Sequence, residues 1–274
     1  MVEGAAAGFI MTHVQPAPLR PRVAHVWRVA CTIIAILVIE TIVCGMAALP
    51  VVFLWTRLLG WPPSAGLAAI PVVSLALVPS YILFALCLMG LSALTTRFTG
   101  ARTPADAEMP ISELGWPLVG WVRYMAAIHV VRMLAGPLVR GTPIWSWYLR
   151  LNGARVGRRV YVNTLSISDH NLLELGDDVV IGGDVHISGH TVERGVVKTG
   201  RVRLGSGVTI GLGAVIDIDV DAGARCQIGA LSFVPKHAVL EADAVYAGIP
   251  VRRIDPAAPA DAGRAVDRAP LRSG

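Results

Sequence analysis

Leu175-Gly-Asp-Asp-Val-Val180 and Ile181-Gly-Gly-Asp-Val-His186 open a run of sixes that decides the fold. Ile187 starts a third six that is interrupted. The pattern resumes as Leu204-Gly-Ser-Gly-Val-Thr209, Ile210-Gly-Leu-Gly-Ala-Val215 and Ile216-Asp-Ile-Asp-Val-Asp221. It continues through Ala222-Gly-Ala-Arg-Cys-Gln227, Ile228-Gly-Ala-Leu-Ser-Phe233 and Val234-Pro-Lys-His-Ala-Val239 to Leu240. An aliphatic residue opens almost every six. The fifth place is small or β-branched, as at Val179, Val185, Val208, Ala214, Val220, Cys226, Ser232, Ala238 and Ala244. A fixed period of six is neither a helical period nor a plain strand alternation. It is the signature of a parallel β-helix, in which each six forms one short side of a coil. The opening aliphatic and the small fifth residue then point inward and stack on the coils above and below.

Two irregularities mark where function is expected. Ile187 and Leu204 are 17 positions apart, so eleven residues must leave the coil as a loop. That loop holds Gly189-His190-Thr191-Val192-Glu193 and Lys198. Loops held on a rigid solenoid commonly carry the chemistry. Before Leu175, Val156 and Val162 are in phase, but Val162 to Leu175 is 13 positions, one more than two sixes. Ser168-Asp169-His170-Asn171 lies within that stretch.

The 274-residue chain is 54% hydrophobic and 16% charged, with mean hydropathy +0.60. Soluble domains average nearer about 25% charged, so membrane segments are expected. Val29–Trp55 and Leu67–Leu94 are apolar runs longer than the roughly 20 residues that cross a bilayer. The short connection Arg57–Ala65, with Pro62-Pro63, makes them a transmembrane hairpin spanning 29–97. Arg20, Arg22 and Arg28 precede it and Arg97 and Arg102 follow it, which places both ends and the β-helix in the cytoplasm of a bacterial inner membrane. Residues 1–28 read as a flexible tail and 255–274 as a disordered one. Residues 98–141 read as a linker and a helix at the interface around Trp116–Val139. Glu40 lies mid-span, as a functional carboxylate or as one that helps helices pack. The net charge of +5 forms no basic stripe interleaved with aromatics, so nucleic acid is not an expected partner. Cys31, Cys44, Cys87 and Cys226 form no Cys-x-x-Cys pair and support neither a disulfide framework nor a zinc knuckle.

Gly189-His190 in the insertion, the six Ile210–Val215 and the closing Gly248-Ile-Pro-Val-Arg252 together resemble the hexapeptide-repeat acyltransferases, the group of the maltose, galactoside and serine acetyltransferases. Trp147–Gly157 and His190–Lys198 are similar to the C-terminal, membrane-flanked domains of synthetases resembling ε-poly-lysine synthetase. Without adenylation or carrier domains, the chain is expected to be a stand-alone form of that terminal module.

The resemblance implies a mainly β fold, a left-handed parallel β-helix over 142–254, built as a homotrimer with sites between subunits. It implies acyl transfer from coenzyme A or a carrier-protein pantetheine thioester to a hydroxyl or amine. His190 matches the catalytic base. Glu193, Asp184 and Glu174 are available to orient it, and His190 with Glu193 is the catalytic pair expected. Asp169, His170 and Asp184 are the expected substrate contacts; for His170 a turn-shaping role stands beside that one. Asp184 falls where the acetyltransferases place a substrate-contacting Asn. Ala230, Lys236 and Arg252 are the expected cofactor contacts, with Pro235 departing from the family's Thr. No metal is expected in this reading. A non-catalytic trimeric scaffold, or a metal enzyme like the γ-class carbonic anhydrases using His170, His186 and His190, are the alternatives.

Overall fold

A computed structural model describes residues 19–59 and 69–254. The start of the expected tail (1–18), the prolines of the hairpin connection and the C-terminal tail lie outside the described residues. Helix α1 (Leu19–Leu59) starts ten positions ahead of the expected span, and α2 is Ala69–Phe98. Both are long and apolar enough to cross a membrane, by length and composition. They run antiparallel: Trp55 Nε1 of α1 donates to Ser80 Oγ of α2 at 2.8 Å, and Val43 and Ala47 pack in one core with Ala85, Leu88 and Met89.

After a short strand β1 (Glu108–Pro110) comes α3 (Trp116–Leu134). It lies lengthwise against the second half of α2, not apart from the hairpin. The Tyr81 hydroxyl reaches the Leu134 carbonyl at 2.8 Å, while Gly120 and Tyr124 sit by Thr96 and Arg97. Its polar residues divide as their spacing requires: Arg123 is buried, as is Glu40 on α1, and Arg132 lies nearer the surface. Helices α4 (Gly136–Val139) and α5 (Pro143–Leu151) follow. Trp145, Tyr148 and Leu149 of α5 are fully buried and join the hairpin's core to that of the β-helix.

The solenoid has three parallel sheets. The first stacks β2 (Arg155–Val156), β4 (Leu173–Leu175), β9 (Val202–Leu204), β12 (Asp221–Ala222) and β15 (Val239–Leu240). The second stacks β3 (Tyr161–Val162), β5 (Val180–Ile181), β10 (Thr209–Ile210), β13 (Gln227–Ile228) and β16 (Val245–Ala247), with β17 (Arg252–Ile254) closing it antiparallel. The third stacks β6 (His186–Ile187), β11 (Val215–Ile216) and β14 (Phe233–Val234). This is the mainly β, left-handed parallel β-helix class of the hexapeptide repeat, preceded by an apolar helical hairpin. Register follows the sixes: Ile210 lies beside Ile228, 18 positions on, whereas Leu175 lies beside Leu204, 29 positions on, because the eleven extra residues intervene. The opening aliphatics and nearly all the fifth-place residues are buried, and the residue before each opening faces outward.

The second place of the six sits at a corner where coils touch backbone to backbone. A Cβ on Gly211 would lie 2.4 Å from the Ala230 nitrogen, and one on Gly176 would lie 2.5 Å from that of Ser206. Strands stack about 4.8 Å apart, which leaves no room to yield. Gly211→Ala is therefore expected to destabilise the solenoid by roughly 1–3 kcal/mol or more, read as a fall in the thermal midpoint. An unchanged midpoint would contradict this packing.

Candidate active site

The eleven extra residues are not an open loop. They form a hairpin of β7 (His190–Glu193) and β8 (Val196–Thr199), with β1 pairing antiparallel on the outer edge of β8. Arg194 and Gly195 both take positive φ (49° and 77°), the pair that a tight two-residue hairpin turn requires.

Alternation along β7 sends His190 and Glu193, an odd number of residues apart, to opposite faces. Glu193 bonds Lys236 and lies 3.6 Å from the Lys198 ammonium. The carboxylate on His190 is Asp169: its Oδ2 lies 2.6 Å from His190 Nδ1. Asp169 thus orients the imidazole, in place of the expected Glu193. Asp184 and Glu174 are also engaged elsewhere. Asp184 sits exposed at a coil corner, 3.4 Å from Arg140, and Glu174 receives Arg155 and Arg201 at 3.1 and 3.0 Å.

Asp169 occupies the longer corner of the first coil, between Ile167 and the turn His170–Leu172, with a positive φ of 51°. It is fully buried and accepts four donors. The Thr103 hydroxyl (2.7 Å) and the Trp121 indole (3.1 Å) reach Oδ1, while the Gly189 amide (3.2 Å) and His190 reach Oδ2. Burial alone would raise its pKa, but the bond and charge of His190 and the hydroxyls of Thr103 and Ser168 outweigh burial and hold it below the usual carboxylate range. The site therefore contains an ionised carboxylate. That fixes the neutral His190 tautomer with its proton on Nδ1, leaving the Nε2 lone pair free. Burial depresses His190, but the Asp169 hydrogen bond, the Asp169 charge and the Asp217 charge together raise its pKa above the ordinary value. The His190 side chain is 25% exposed, and the Trp121 ring stands edge-on to it at 5.0 Å. Gly189 must be glycine, since its Cβ would meet that of Asp169 at 2.7 Å.

His170 does not reach a surface where substrate could meet it, which corrects that expectation. It is completely buried with its ring edge-on to Trp145 and Tyr148, 6.0 and 5.8 Å away. Burial, with a smaller contribution from Arg132, lowers its pKa to about 4 against the opposing charge of Asp169. Because the folded value lies below the unfolded one, stability is fully present above about pH 6.5 and declines as pH falls toward 4. The loss is on the order of 3 kcal/mol. His170→Leu is expected to remove this acid limb from the stability profile, and an unaltered limb would contradict the assignment. His186 faces outward at the end of its six, near the charges of His190 and Asp217. Among the described residues no three His, Cys, Asp or Glu side chains converge as metal ligands, so His170, His186 and His190 do not form the triad of the metal-enzyme alternative.

Lys236 lines a cavity of about 260 Å³ with Thr191, Lys198, Asp219 and His237, beside β1 and the hairpin. His190 is not among its walls: Thr191 faces it, while His190 faces Trp121. Ala230 lies exposed at a corner after β13, and Arg252 is exposed on β17, paired in register with Ala247. Thr103 and Trp121, neither of them an expected site residue, complete the site through Asp169.

No family model matches the chain. It is 27% identical over 112 residues to a delta-poly-L-ornithine synthetase of Acinetobacter baumannii, a match covering 41% of this chain and 8% of that protein. The chain therefore spans a small part of that relative's length. Solved structures with similarity include a hexapeptide-repeat acetyltransferase of Vibrio cholerae (18% identity, TM-score 0.37, 47% of this chain and 91% of that one). Another is a maltose O-acetyltransferase of Clostridium difficile (21% identity, TM-score 0.34, 40% and 72%).

Proposed function

We propose that this chain is a membrane-anchored acyltransferase of the hexapeptide-repeat type. It moves an acyl or aminoacyl group from a pantetheine thioester, on coenzyme A or a carrier protein, to a hydroxyl or amine. The observation that carries this reading is the buried aspartate on His190 Nδ1, which leaves Nε2 as a base at the surface of the solenoid. Nε2 takes the acceptor's proton as its oxygen or nitrogen attacks the thioester carbonyl. Collapse of the tetrahedral intermediate breaks the C–S bond. The departing thiolate receives the proton from His190, giving ester or amide plus free thiol. Proton transfer by a positioned group of this kind contributes roughly 10²–10⁴-fold.

Lys236, Arg252 and Ala230 are the proposed contacts for the pantetheine donor, and Asp184 the proposed acceptor contact. The working form is a homotrimer. The two long apolar helices hold it in the bacterial inner membrane, with the β-helix in the cytoplasm. Coenzyme A and a phosphopantetheinylated carrier protein, titrated by calorimetry into the detergent-solubilised chain, test the donor. One of them is expected to bind, and Lys236→Ala with Arg252→Ala to weaken it by roughly tenfold or more. Binding of neither by a stable trimer would favour the scaffold.

A further inference from the structure

We propose that the cleft at the end of α2 is a binding site for a phosphate-ester group, and that the group enters on an anionic phospholipid. The cleft measures about 940 Å³ and lies where α2 runs out, between its last turn, the start of α3 and the first coil. Arg97, Arg102, Arg155 and Arg201 line it, and no aspartate or glutamate does. Arg155 and Arg201 both donate to a single carboxylate, that of Glu174. One negative charge thus serves two of the cleft's four guanidiniums. Arg97 and Arg102 make no ion pair among the described residues. Guanidinium forks suit phosphate oxygens in particular.

The apolar surroundings say how the group arrives. Phe98, one residue beyond Arg97, is 81% exposed, and Trp116 on the cleft's wall is 65% exposed. Leu94, one turn back on α2, is exposed as well. A cationic cleft at the foot of an apolar helix, edged by aromatics, matches a lipid whose headgroup lies in the cleft and whose chains follow the helix. The cleft also touches the candidate active site. Thr103 lines it and donates to Asp169 Oδ1, the oxygen opposite the one holding His190, and Asn171 brackets Thr103 at both its amide (3.2 Å) and its carbonyl (2.7 Å).

The test is binding of short-chain phosphatidylglycerol and phosphatidylcholine to the full chain in neutral detergent, with inorganic phosphate as a competitor. Phosphatidylglycerol is expected to bind at least tenfold tighter. Arg97→Gln with Arg102→Gln, both exposed, is expected to weaken it by roughly 25-fold, about fivefold for each arginine. Arg57→Gln, at the far end of the hairpin, controls for general charge and is expected to change nothing. Displacement by phosphate, with no preference between the two lipids, would keep the phosphate site but assign it to a soluble ester. Equal binding of both lipids with no competition by phosphate, or an equal loss in Arg57→Gln, would overturn the proposal. Because every readout is binding, it stands or falls separately from the transferase reading.

Discussion

His190→Ala is expected to lower thioester-dependent transfer by roughly 10²- to 10⁴-fold while the fold persists. The imidazole lies on a hairpin outside the coil and is no part of the stacked aliphatic core, so its loss leaves the packing of the coil in place. The effect should appear in kcat, with donor affinity retained, because the walls of the cavity beside Lys236 do not include His190. Combining His190→Ala with Asp169→Asn should cost little more than His190→Ala alone, since the two act as one unit. Measured turnover of the three variants checks this. A double variant falling by the product of the single losses would separate the two residues.

Asp169→Asn is expected to be almost as damaging, for a reason the four donors make specific. Trp121 and Thr103 both reach Oδ1, so the asparagine carbonyl must stay on that side to accept from the indole. Its NH₂ group then faces His190 Nδ1 and the Gly189 amide. Nδ1 must become the acceptor, the ring proton moves to Nε2, and the base is lost. A fall of roughly 10²-fold or more is expected. The pH profile carries a second signature. The base works when deprotonated, so wild-type activity rises with pH through the elevated pKa of His190. Without the aspartate charge that pKa drops, and the rising limb of the residual activity moves to lower pH. A limb that stays in place would show that Asp169 does not govern the titration of His190.

The coil was readable because its aliphatic positions repeat at a fixed interval and each is inward, from Leu175 to Leu240. The site of the insertion was equally plain, since a phase slip has a position. Its form was not. Thr191-Val192 and Val196-Val197 suit strands, but only the Arg194-Gly195 turn and the pairing of β1 make the segment a hairpin. Alternation along the strand 190–193 puts Glu193 on the face opposite His190. The phase break marks Asp169 as a site residue, but as an expected substrate contact and not as the buried carboxylate on Nδ1. Ile167 lies beside Ile187 at an offset of 20, different from the offset of 18 in the later coils. Thr103 and Trp121 carry no period at all. Trp121 reaches Asp169 because α3 folds back along α2, and Thr103 because the segment after α2 is held on the first coil by Asn171, tertiary contacts that no local pattern encodes. His170 shows the converse: a histidine at a phase break, next to an aspartate, that the core absorbs between two aromatic rings.

Release of free thiol from a pantetheine thioester by the unaltered full chain, followed with and without amine and hydroxyl acceptors, tests the central claim most directly. Thiol release that requires both the protein and an acceptor, matched by ester or amide formed in equal amount, is the predicted result. A folded protein that releases no thiol from either coenzyme A or carrier-protein thioesters, with any acceptor offered, would contradict it.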